Sequence, residues 1–116
     1  MVVRNAAAEA QTNRLFLALG DATRRDIVRR VMRREVNVTT LAGFYDMSFA
    51  AVQKHVAVLE RARLVRKKRC GREQIVHGHL ATLHRARRLL DQFEAVWRAR
   101  VDRLDSLLSD SREGDA

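Results

Sequence analysis

One interruption organises this sequence. Apolar residues recur at helical spacing up to Leu59 and again from Ala81 to Ser109, but between Leu64 and His79 that spacing stops. The intervening stretch is short and partly β-compatible. Leu64–Arg69 leads into Cys70-Gly71, a two-residue turn signal, and Arg72–His79, which contains Ile75 and Val76, reads as a second strand. The chain is therefore expected to be mainly α with a small β-hairpin, and the hairpin is cationic along its strands and tip.

The chain contains no proline, so its helices are delimited by caps and glycines. Gln11–Leu19 suits a short helix stopped by Gly20. Asp21 caps a helix over about residues 22–34, with Ile27, Val28 and Val31 inward and Arg24, Arg25, Arg29 and Arg30 in water. An extended piece at 37–40 leads into a third helix, about 39–45, on which Leu41, Ala42 and Tyr45 share a face. Asp46-Met47-Ser48 is a turn. Ser48 caps a fourth helix, 49–62, with an inward stripe of Val52, Val56 and Leu59, and Met47 is placed to staple onto Val52. The last helix carries Leu83, Ala86, Leu90, Phe93, Trp97, Val101, Leu104 and Leu108 in near-heptad steps of three and four. This stripe is longer than a small core needs and predicts a dimer seam. About five helices, the third and fourth joined by a tight turn and followed by a hairpin, make a winged helix-turn-helix with a long C-terminal dimerisation helix. The 116 residues suit one domain. It is expected over 11–110, between a flexible arm at 1–10 and a disordered tail at 111–116.

Charge narrows the function. Lys and Arg total 23 against 14 acids, a formal +9. Lys54–Arg72 holds eight of these basic residues and one acid, Glu60, so a single short stretch carries most of the excess. A field focused in this way favours a polyanion, and nucleic acid is the default partner. One cysteine excludes an internal disulfide and a multi-cysteine zinc site. No apolar run approaches the roughly 20 residues of a membrane span. No signal-peptide core opens the chain, so a cytoplasmic setting is expected. A Gly-rich phosphate loop, a Ser/His/Asp set and a carboxylate pair in an apolar pocket are all missing, which argues against an enzyme, and no cofactor is implied.

Three segments carry a family resemblance. Leu17-Ala18-Leu19-Gly20-Asp21-Ala22-Thr23-Arg24-Arg25 resembles the opening motif of ArsR-type winged-helix repressors. Met47-Ser48-Phe49-Ala50-Ala51-Val52-Gln53-Lys54-His55-Val56-Ala57-Val58-Leu59 resembles their recognition helix, and Leu64-Val65-Arg66 with Gly71-Arg72 resembles their wing. Phe93-Glu94-Ala95-Val96-Trp97 and Val101-Asp102-Arg103-Leu104 are similar to the C-terminal helix of one subgroup. The similarity covers roughly residues 14–108, and the ordered combination is specific where each motif alone is weak. It implies a dimeric repressor that binds a near-palindromic operator. There are departures. Ala22 and Ala50 stand where the family usually has proline. Gly43 and Tyr45 occupy the positions at which metal-sensing members carry cysteines. Asp91 is followed by Gln92-Phe93 and not by the Asp-x-His of the other familiar metal site. Metal sensing is therefore not implied.

The candidate DNA contacts are Ser48, Phe49, Ala50, Gln53, Lys54 and His55 on the recognition helix, Lys67, Lys68, Arg69 and Arg72 on the wing, and Arg24 at a helix start. Because strand side chains alternate, two or three of the wing cations are expected to face DNA at once. The candidate self-association residues are Leu15, Phe16 and Leu19 with Leu83, Leu90, Phe93, Trp97, Val101, Leu104 and Leu108. Two alternatives stand beside this reading. In the first, Cys70 or the group His77, His79 and His84 makes the repressor redox- or metal-responsive, since cations beside a thiol favour the reactive thiolate. In the second, the long helix recruits a protein partner and DNA affinity is incidental.

Overall fold

The first helix opens at Asn5. The computed structural model describes residues 5–114, and α1 runs Ala6–Leu19 with the Asn5 carboxamide oxygen accepting from the Ala8 amide at 3.1 Å. Alanine has the highest helix propensity, and Ala6, Ala7, Ala8 and Ala10 carry the helix back to that cap. The expected ten-residue arm is thus helical from Ala6, and its first four residues lie outside the described ones. Gly20 ends α1, its amide bonding Leu17 O at 3.1 Å. Asp21 caps α2 (Ala22–Arg33) through the Arg24 amide at 3.0 Å, and that bond holds its carboxyl below the usual value.

The sheet has three strands where the sequence suggests two. Val36–Asn37 forms β1 and pairs antiparallel with β3 (Glu73–Gly78), Val36 opposite Val76 and Asn37 opposite Ile75. The order is β1-β3-β2, with β2 at Val65–Cys70. Asn37 also caps α3 (Val38–Ala42), accepting from Thr40 N at 2.7 Å. Gly43 closes α3 after five residues, so Tyr45 falls in the following turn and not on the helix. In β2 and β3, Cys70 pairs with Glu73, which places the hairpin turn at Gly71-Arg72, one residue later than expected. Gly71 has φ 63 and Arg72 is not in the left-handed region. A positive φ at the first central residue alone is the type II′ pattern, and glycine adopts it without steric cost.

Ser48 caps α4 (Phe49–Arg61), its Oγ accepting from Ala51 N at 3.1 Å. The far end of α4 is closed by a Schellman motif. Leu64 N bonds Leu59 O and Arg63 N bonds Glu60 O, both at 3.0 Å, with Arg63 at φ 60. The core gathers Leu15 and Ala18 of α1, Ile27 and Val31 of α2, Leu41 of α3, Val52, Val56 and Leu59 of α4, and Val65 and Val76 of the sheet.

Helix α5 runs Leu80–Gly114, beyond the expected end of the domain at 110, and only the last two residues of the expected tail lie outside the described ones. Its start is fixed by Thr82, buried, whose hydroxyl donates to Arg63 O, and by the His79 amide bonding Leu64 O at 2.9 Å. By backbone contacts the chain divides after Ala86 into two units. The second is a single helix. Leu90, Phe93, Val96, Trp97, Leu104, Leu107 and Leu108 are exposed on it, and Val101 is half-buried. Among the described residues no helix is long and apolar enough to cross a membrane.

Candidate nucleic-acid interface

Strand alternation sorts the wing cations. Val65, Lys67 and Arg69 share one face of β2, while Arg66, Lys68 and Cys70 share the other. The first face turns toward the core, since Val65 and Val76 are fully buried. Lys67 sits over α4. Its amide bonds Glu60 Oε2 at 3.2 Å and its Nζ lies 3.6 Å from Glu60 Oε1. Arg69, two residues on, extends past the core. With Arg72 it lines a cleft of about 430 Å³ whose other walls include Thr39, Thr40, Phe49, Gln53 and Gln74. Ser48, Ala50 and Lys54 are exposed at the same end of α4. The cleft therefore unites Phe49, Gln53, Arg69 and Arg72. It leaves Lys67 paired to Glu60 and places Lys68 on the opposite face of the sheet.

Thr39 and Thr40 belong to this cleft and were not among the sequence candidates. Their signal was the cap Asn37, which starts α3 one residue before Thr39 and leaves both threonines exposed.

Arg24 does not face outward. Its Nε donates to Ala18 O at 2.8 Å, its Nη2 to Leu17 O at 3.0 Å, and its Nη1 lies 3.4 Å from His55 Nδ1. Arg25 likewise donates to Leu19 O at 2.8 Å. The C-terminal carbonyls of α1 lack partners within their own helix and attract cations, so they draw in both guanidiniums. His55 is half-buried against this strap and not free on the helix surface. Arg24 and His55, both expected to contact DNA, are thus joined to each other and, through Arg24, to the end of α1.

A second strap holds the turn between α3 and α4. Tyr45 Oη donates to Asp26 Oδ2 at 2.6 Å, Arg30 Nε donates to the same oxygen at 2.9 Å, and the Arg30 guanidinium lies 4.1 Å from the Phe44 ring centroid. The Tyr45 hydrogen bond, and then that of Arg30, holds the Asp26 carboxyl below the usual value. Burial first, and the bond to Asp26 second, push the Tyr45 hydroxyl up to about 12.

No protein-family model matches the chain. The HTH-type transcriptional regulator Rv2034 of Mycobacterium tuberculosis is 36% identical over 81 residues, covering 70% of this chain and 76% of the relative. An ArsR-like transcriptional regulator from Rhodococcus sp. RHA1 superposes with a TM-score of 0.79 at 26% identity, over 91% of this chain and 97% of that one. The chain belongs to the ArsR family of winged helix-turn-helix transcriptional regulators. It is also similar to a crystal structure described as a possible transcriptional regulator for arsenical resistance, with 31% identity, a TM-score of 0.63, and coverage of 69% of this chain and 82% of that one.

In this ArsR-family chain the end of α3 and the turn after it are held by internal contacts. Gly43 ends the helix, and the Tyr45 hydroxyl is engaged by Asp26. His77 Nδ1 pairs with Glu35 at 2.8 Å, His84 is exposed on α5, and among the described residues no three His, Cys, Asp or Glu side chains gather to hold a metal. Cys70 is exposed, with Glu73 as its cross-strand neighbour.

The self-association candidates divide in the same way. Leu15 is only 3% exposed and belongs to the core, while Phe16, Leu19 and Leu83 are half-buried against it. Leu90, Phe93, Trp97, Leu104 and Leu108 remain exposed, as does Leu17 on α1, which the sequence candidates omit.

Proposed function

We propose that this ArsR-family regulator grips operator DNA as a homodimer and represses transcription by occluding polymerase. The observation that carries the reading is the shared cleft, with Phe49 and Gln53 of α4 on one wall and Arg69 and Arg72 of the wing on the other. The N-terminal end of α4 enters the major groove, where Gln53 pairs with adenine, Lys54 with guanine or phosphate, and Phe49 meets a thymine methyl. Arg69 and Arg72 take backbone phosphates or the minor groove. Ser48 and Ala50 sit at the helix end that approaches closest.

The exposed stripe on the second unit supports self-association. Phe93 at 63% exposure and Trp97 at 58% are costly to leave in water, and their spacing with Leu90, Leu104 and Leu108 is that of a helix-packing seam. A two-fold dimer presents recognition helices ~34 Å apart and so reads a near-palindromic site.

The test is footprinting and salt titration on the DNA upstream of the protein's own gene. If ~6–10 phosphates are neutralised per dimer, affinity falls by ~10³–10⁵ between 50 and 200 mM salt. Equal affinity for upstream and scrambled duplexes at physiological salt would sink operator reading and leave the protein-interaction alternative.

A further inference from the structure

A second cationic cleft, sharing no residue with the first, lies within the first unit. Arg14 of α1, Arg63 of the α4–β2 turn and Arg85 of α5 line a space of about 350 Å³, together with Gln11 and the methyls of Ala7, Ala8 and Ala10. Three elements thus bring three guanidiniums to one opening. Among the described residues none of the three has a carboxylate in ion-pair range. Glu9, the acid on this part of α1, points to the other side of the helix by its period.

Two features show that the cleft is built rather than left over. Gln11, 9% exposed, donates through Nε2 to Arg61 O at 3.4 Å and accepts through Oε1 from Arg14 Nη1 at 3.3 Å, so a buried amide aims Arg14. Arg63 holds φ 60 at the helix-closing position where glycine is the usual residue. The Schellman bonds fix where the Arg63 backbone leaves α4, and so where its side chain starts.

We infer that this cleft binds a small anion bearing adjacent phosphate groups. Guanidinium forks match phosphate oxygens in pairs, and three of them suit a di- or triphosphate better than a single phosphate. Among the described residues the only apolar lining is alanine, with no aromatic ring to stack a base. The phosphates are the recognised portion, whether they come from an inorganic polyphosphate or from a nucleotide.

Calorimetric titration of the full chain without DNA tests this, with phosphate, pyrophosphate, tripolyphosphate and adenosine triphosphate as probes at constant ionic strength. Affinity should rise at least tenfold from phosphate to tripolyphosphate, and adenosine triphosphate should match tripolyphosphate within twofold. Arg63→Gly should weaken tripolyphosphate at least tenfold while its denaturation midpoint holds or rises. Arg14→Ala should weaken it similarly, and it guards against a folding defect in the first variant. The double variant Arg69→Ala/Arg72→Ala should bind as the parent does. Unchanged binding in Arg63→Gly and Arg14→Ala, loss in the wing variant instead, or a tenfold preference for adenosine triphosphate would each overturn the inference.

Discussion

Arg24 and Arg25 lie in the first turns of α2, and Arg69 and Arg72 lie at the tip of the hairpin. In sequence Arg24, Arg69 and Arg72 are candidate DNA contacts, and Arg25 is an exposed neighbour. In the fold the first pair points back to the end of α1 and satisfies the carbonyls of Leu17, Ala18 and Leu19. The second pair lines an open cleft, where Arg69 Nε donates to Gly71 O at 3.2 Å, within the tip of the hairpin. The difference lies in what each guanidinium can reach. The end of α1 offers carbonyls six or seven residues upstream, within reach of the first pair, whereas a two-residue turn offers little. Net charge therefore overstates the grip, because some of it is consumed internally.

The contrast is broken most directly by exchanging the roles of the two pairs. Arg69→Ala/Arg72→Ala should cost about 100-fold or more in operator affinity and flatten the salt slope by about two to four per dimer. Its unfolding free energy, from urea titration, should stay within about 0.5 kcal/mol of the parent. Arg24→Ala should do the reverse. Loss of hydrogen bonds from a charged donor costs about 2 kcal/mol of stability, read as a lower midpoint at constant m, while the salt slope of the folded fraction is unchanged. A flattened slope for Arg24→Ala would erase the distinction.

Arg30 is a third kind of arginine, engaged by a side chain in place of a helix end, and pH probes it. Tyr45 is the chain's sole tyrosine, so tyrosinate absorbance reports it directly, with a folded value of about 12 against 10.0 when unfolded. The raised value means its contribution is whole below pH 10 and is lost as pH climbs toward 12, a decline of order 1 kcal/mol after solvent screening. Tyr45→Phe should abolish that decline in alkaline urea titrations. On the acid side, Asp26 contributes stability that is present above its unfolded 3.8 and lost as pH falls through its lower folded value. The smallest effect belongs to Lys67→Ala, which breaks a partly exposed pair with Glu60 worth under about 1 kcal/mol. It should leave base selectivity unchanged in a competition assay.

Local signals carried most of the architecture. Asp21 and Ser48 cap the helices assigned to them, and Val52, Val56 and Leu59 are buried as their spacing requires. What stayed hidden depended on distant partners. Val36–Asn37 becomes a strand only because β3 lies beside it, and two residues have no period to read. Leu15 looks like a seam residue until α1 docks on the core. The candidate site was legible as a segment and not as a set. The hairpin's charge was plain, but the sorting of Lys67, Lys68 and Arg69 needed the face of the sheet that the core occupies.

A reversal made of two residues also fixes the arithmetic of any change to the wing. One residue inserted between Lys67 and Lys68 would rotate every later side chain of β2 by half a turn, moving Arg69 to the outside and seating Lys68 in its place. Two inserted residues would restore the original parity and lengthen the ribbon. Functional variants of this chain should therefore differ in wing length by even numbers, or carry a bulge that absorbs the odd residue.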